Sequence, residues 1–128
     1  MTTFEPPNAA YAERVRESFA RQGAMRLIGA ELTRVEPGAV DITLAWRSDL
    51  TQQHGFLHAG ILSTIADTAG GYAGFTLFPA DASVLTVEYK LNLLAPGDGT
   101  SFVAEARVVK PGRTLCIVTA EVHAIREE

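Results

Sequence analysis

The alternation of apolar and polar positions divides the chain into distinct segments. Asn8 to Gln22 reads as a short polar helix, with Asn8 placed to cap it and Gly23 to stop it. Met25 to Glu36 reads as a strand closed by the turn Glu36-Pro37-Gly38. Val40, Ile42, Leu44 and Trp46 then alternate with Asp41, Thr43 and Ala45, the period of a half-buried strand, so these two strands form a hairpin. A polar loop, Arg47 to Leu57, leads into Ala59 to Phe78, which is apolar or small nearly all round and reads as a helix buried on most sides. Leu85, Val87, Tyr89, Leu91 and Leu93 alternate with Thr86, Glu88, Lys90 and Asn92 in a further strand. Past the turn Pro96-Gly97-Asp98-Gly99, two more strands follow, Phe102 to Lys110 and Thr114 to Ile125, joined at Pro111-Gly112-Arg113.

Strands joined by tight turns make an antiparallel sheet. Its apolar face needs a cover, and the segment 59–78 is the one long apolar element available. The expected fold is therefore α+β, a curved antiparallel sheet wrapped around a long central helix. The whole of residues 1–128 forms one domain. That helix has two faces. Ile61, Ile65, Thr68, Tyr72 and Phe75 make a bulky stripe suited to packing on the sheet. Ser63, Asp67, Gly70 and Gly74 make a stripe of small residues that leaves room beside a carboxylate.

That carboxylate is the oddity of the chain. From His54 to Phe78 there is one acidic residue, Asp67, and no Lys or Arg. An ionised carboxylate in apolar surroundings is costly unless something pairs with it or uses it. A purely structural acid, bonded to backbone or to Ser63 or Thr64, is the alternative to a functional one.

Composition narrows the setting. Apolar residues make up 47% and charged residues 20%, as in ordinary globular proteins. The net charge of −4 provides no basic stripe for nucleic acid. Asp67, Gly70, Gly71, Gly74 and the hydroxyls within 59–78 argue against a membrane span, and the N-terminus has no signal-peptide core. The single cysteine, Cys116, permits no intrachain disulfide and fits a cytoplasmic location. His54 and His58 are four apart, but no third residue has metal-ligand spacing, so no metal is expected.

The turn His58-Ala59-Gly60, the loop Gln52-Gln53-His54-Gly55 before it, Asp67 nine residues after His58, the strand Val84 to Leu94 and the turn Lys110-Pro111-Gly112-Arg113 together resemble the hotdog-fold thioesterases of the PaaI-like, phenylacetate-type family. The family's middle Gly is replaced here by Ala59. The family also adds a strand after the position of Ile125, so an exposed sheet edge is expected here. The resemblance implies hydrolysis of an acyl-CoA thioester with no metal or bound cofactor, CoA being part of the substrate. By position, it makes Asp67 the general base or nucleophile and the backbone N–H of Ala59 the donor that polarises the carbonyl. Gln52 takes the place of a loop Asn or Gln that helps hold carbonyl or water, and Thr86 that of a Ser or Thr that orients the water. His54, His58 and Gly60 are candidate substrate contacts at the turn, as are Lys90 and Asn92 on the strand. Lys110 and Arg113 are ordinary hairpin residues or partners for the CoA phosphates.

The chemistry has its own geometric requirement. Thioester hydrolysis needs a donor for the developing oxyanion and a base or nucleophile near the same carbon. Asp67 lies about 12 Å along the helix from Ala59, and both must come within about 3 Å of one carbonyl. Two antiparallel helices from two chains satisfy this, so a homodimer with two shared sites is expected, paired along the strand Val84 to Leu94. A homotetramer is a further form. The alternatives are a non-catalytic acyl-CoA-binding or sensor domain, for which a buried base has no use, and a dehydratase, for which the helix lacks a His/acid pair.

Overall fold

The computed structural model describes residues 3–127. Four strands form one antiparallel sheet in sequence order: β1 (Glu31–Glu36), β2 (Ala39–Ala45), β3 (Ser101–Lys110) and β4 (Ile117–Ile125). The long helix α3 (Ala59–Phe75) lies across β2, β3 and β4, and α1 (Tyr11–Ala20) and α2 (Gly23–Ile28) precede the sheet. This is the α+β arrangement that the alternation implied.

The sheet accommodates α3 because large and small residues oppose each other across the ladder. Ile42 pairs with Ala104 and Val40 with Ala106, and all four are fully buried. The alanines of β3 form a trough, and Ile65, Ala69 and Ala73 of α3 are buried with them in the same core. Leu44 opposite Phe102 closes one end. Residues two apart share a sheet face, so Asp41, Glu105 and Arg107 fall on the other side, where Arg107 donates to Asp41 at 2.7 Å.

Several segments differ from the sequence expectation. Met25 to Ile28 is helical, not strand, and only Glu31 to Glu36 pairs with β2. Met25 and Ile28 are both buried, a spacing of three that suits one helical turn, and Gly29 ends it at φ 77°. The Ala30 N–H closes back on the Met25 carbonyl at 2.9 Å. The first helix is shorter than 8–22: Asn8 accepts the Ala10 N–H at 3.0 Å in a preceding turn, and the helix runs from Tyr11 to Ala20. The central helix ends at Phe75 instead of Phe78, because Thr76 turns its hydroxyl back to the Ala73 carbonyl at 2.6 Å and accepts the Gly38 N–H at 2.7 Å. That contact locks the helix end to the β1–β2 turn.

The largest departure is 84–94. Within one protomer this segment joins no ladder. Leu85, Val87, Tyr89, Leu91 and Leu93 are all exposed, Leu85 at 89%. A strand needs a partner for its backbone groups, and the single chain does not supply one here.

Candidate active site

α3 begins at a loop that holds its own shape. The Oε1 atom of Gln52 accepts the N–H groups of His54 and Phe56, and the Gln52 N–H donates to the Phe56 carbonyl at 2.9 Å. Gly55 takes φ 85°, and Trp46 Nε1 donates to its carbonyl at 3.1 Å. The side-chain carbonyl of Gln52 is thus committed to the loop, and its Nε2 makes no hydrogen bond among the described residues.

His58 is the N-cap of α3. Its Nδ1 accepts the Gly60 N–H at 2.8 Å, the task usually performed by a Ser or Asp oxygen. The bond requires the ring proton on Nε2. A side chain at position 60 would bring its Cβ within 2.9 Å of that Nδ1, so glycine is what lets the imidazole fold over the helix start. The consequence is a division of labour in the first turn. The Gly60 donor is used internally, whereas the Ala59 N–H makes no hydrogen bond among the described residues. A free N–H at the positive end of a helix suits a developing oxyanion.

Asp67 lies on the face of α3 that the sheet leaves uncovered, half-buried. Thr86 Oγ1 donates to its Oδ1 at 2.8 Å. One helical turn earlier, the Ser63 hydroxyl and the Tyr89 hydroxyl lie 2.9 Å apart. Segment 84–94 is therefore tied to α3 by two side-chain bonds although it joins no ladder. Thr86 and Tyr89 are three apart, so a regular two-residue alternation cannot point both at the helix. The alternation counts Tyr89 as one more apolar position; its hydroxyl partner became visible only when α3 and this segment were placed side by side.

Asp67 sits where two clefts meet. The larger, about 560 Å³, runs between α3, residues 83–91 and residues 114–120. The smaller, about 280 Å³, opens toward α1. The small stripe of α3 is used unequally. Gly70 and Gly74 face Val118 and Cys116 of the β4 side closely, whereas a Cβ at Gly71 would meet nothing within 4 Å. The open space beside Asp67 is therefore at Gly71. Burial pushes the Cys116 thiol up from its ordinary value.

The remaining candidates are scattered. His54, Lys90, Asn92, Lys110 and Arg113 are exposed. Lys90 lines the larger cleft. Among the described residues, no helix is long and apolar enough to cross a membrane.

Residues 54–128 match the thioesterase superfamily, a span that contains the helix start, Asp67 and Thr86. A protein of Saccharolobus solfataricus bearing the name "Putative esterase" is 33% identical over 104 residues, covering 81% of this chain and 69% of that protein. A thioesterase family protein of Silicibacter pomeroyi has a solved structure with a TM-score of 0.89 and 52% identity, covering 91% of this chain and 85% of that one. The PaaI protein from the phenylacetic acid degradation operon of E. coli, at 21% identity and a TM-score of 0.72 over 91% of this chain and 83% of that one, shares the fold. The chain belongs to the thioesterase superfamily and has its hotdog fold.

Proposed function

We propose that this protein hydrolyses an acyl-CoA thioester to the free acid and CoA, in a homodimer whose two active sites each draw on both chains. The observation that carries the reading is the Thr86–Asp67 bond at 2.8 Å on one part of α3, with the unpaired Ala59 N–H about 12 Å away on the same helix. One chain cannot bring both to one carbonyl, and two antiparallel helices can.

In the proposed reaction the thioester oxygen rests against the Ala59 N–H of one subunit, assisted by Gln52 Nε2. In the other subunit, Thr86 holds one carboxylate oxygen of Asp67 of the same chain, which leaves Oδ2 to take a proton from water. The water oxygen bonds to the carbonyl carbon, and the oxyanion that forms is stabilised at the helix start. Collapse breaks the C–S bond, and the thiolate leaves with the proton that Asp67 held. Base, donor and water complete the reaction, so it needs neither metal nor bound cofactor. Lys90, Lys110 and Arg113 are exposed cations available to the CoA phosphates. The exposed row Leu85, Val87, Tyr89, Leu91 and Leu93 supports the dimer, since apolar rows of this kind mark association surfaces. We place the enzyme in the cytoplasm, where acyl-CoA is made and used.

The test is subunit complementation. Ala59→Pro removes the donor and Asp67→Asn removes the base, so each homodimer should be inactive. A mixed dimer holds one site with both groups intact, and random mixing should restore about a quarter of wild-type activity. If the mixture stays inactive while mass spectrometry shows mixed dimers, the two-chain site is wrong.

A further inference from the structure

The last turns of α3 leave carbonyls that the helix itself cannot satisfy, and one side chain from α1 collects them. Arg14 donates through Nη2 to the Phe75 carbonyl at 2.8 Å and to the Phe78 carbonyl at 2.9 Å, and through Nη1 to the Pro79 carbonyl at 2.6 Å. Its Cζ lies 4.1 Å from the centre of the Phe75 ring. Its Nε is buried and has no hydrogen-bond partner among the described residues. A planar fork spans three carbonyls in a way that a point charge does not, and the orphaned Nε is the cost of holding the fork there.

These bonds run past the end of the helix. A cap for α3 alone would stop at Phe75, whereas two of the three bonds reach Phe78 and Pro79. The Pro79 carbonyl also accepts the Ala82 N–H at 3.1 Å, so Arg14 grips the turn from which the unladdered segment departs. Thr86 comes seven residues after Pro79. Among the described residues, three hydrogen bonds tie residues 79–94 to the rest of the chain: Arg14 to Pro79, Thr86 to Asp67, and Tyr89 with Ser63. With so few anchors, the place where the segment starts governs where the Thr86 hydroxyl arrives.

We infer that Arg14 is a positioning residue for the hydrolysis, fixing the start of the segment so that Thr86 meets the Asp67 carboxylate. The inference rests on the hydrolase reading above. Arg14 is bound at the Phe75 end of α3, a rise of about 12 Å along the helix from Asp67. It therefore acts through Thr86 and not on the carboxylate itself.

The experiment is a double-mutant cycle read as kcat and KM on phenylacetyl-CoA and hexanoyl-CoA. Arg14→Met keeps an apolar stem over Phe75 and removes the fork. It should lower kcat about tenfold, as misplacement of a catalytic contact does, and leave KM within about twofold. In a Thr86→Ala background the same substitution should change kcat by less than about twofold, because the contact it positions is already gone. A merely structural role would lower kcat by the same factor in both backgrounds, which overturns the inference. Wild-type kcat in Arg14→Met also overturns it, alone. Arg14→Lys, which keeps the charge and loses the fork, carries the same cycle if Arg14→Met does not fold, with the same outcomes deciding. A wild-type protein that hydrolyses neither ester overturns the hydrolase reading and the inference together.

Discussion

Thr86 Oγ1 donates to Asp67 Oδ1 at 2.8 Å and so joins a segment that has no ladder partner to the one acid in the apolar stretch of α3. The bond gives the carboxylate a fixed plane and leaves its other oxygen free. It accounts for an acid placed in so apolar a run without assigning that acid a salt bridge.

Asp67→Asn should keep the Thr86 bond and lose the base. Hydrolysis of acyl-CoA esters should fall about a thousandfold, within the range that general bases supply, with unchanged dimer content by analytical ultracentrifugation. Thr86→Ala should cost about tenfold to a hundredfold in kcat, and Thr86→Ser should recover most of it. Wild-type rates in Asp67→Asn would remove the acid from the mechanism.

Single-turnover hydrolysis in ¹⁸O-water separates base from nucleophile. With Asp67 as base, the label enters the product acid in the first turnover. With Asp67 as nucleophile and water attacking the aspartyl carbon of the mixed anhydride, the label first enters the enzyme, and mass spectrometry of the peptide containing Asp67 would find it there.

Ala59→Pro is a clean deletion of one N–H. Ala59 is the first residue of α3, where proline is well tolerated, and His58 already has the extended conformation that precedes proline. The variant should fold with an unchanged circular dichroism spectrum and lose about a hundredfold to a thousandfold in kcat, the usual cost of an oxyanion donor. A fully active Ala59→Pro protein would show that the carbonyl is polarised elsewhere.

Charges on the unpaired segment should separate the subunits. Leu91→Lys combined with Leu93→Lys places two cations in an exposed apolar row. The expected product is a folded monomer by size-exclusion chromatography with light scattering, without hydrolase activity. A dimer of normal size would mean that pairing uses another surface.

Thr76→Val tests the lock between the helix end and the hairpin. Thr76 is fully buried, and its hydroxyl is the acceptor for the Gly38 N–H. Removing it leaves that N–H unsatisfied, at a cost of about 2 kcal/mol, or a fall in Tm of about 8 °C for a domain of this size. Thr76→Ser should retain most of the stability, and thermal denaturation of the three proteins decides.

Much of the fold is legible because burial repeats with the period of the backbone. Val40, Ile42 and Leu44 alternate, and so do Phe102, Ala104, Ala106 and Val108; both runs are strands with those residues inward. The helix over 59–75 follows from a run with no polar face. Periodicity fails where a turn of helix and a stretch of strand share a pattern, as at Met25 to Ile28, and the choice there fell to Gly29 and its left-handed cap. It fails again at helix ends, where Thr76 stops α3 through a contact with Gly38, a residue distant in the chain.

The sequence by itself determined which segments are apolar on one side, that a lone acid interrupts the longest of them, and that a turn with a free N–H opens the same helix. These are local properties, set by residue order and helical geometry. Only the tertiary structure decided that Thr86 reaches Asp67, that Tyr89 meets Ser63, and that the cleft beside Asp67 ends on Ser18, Gln22 and Tyr72. Each of those contacts depends on how side chains meet once elements pack, and residue spacing along the chain carries no record of that.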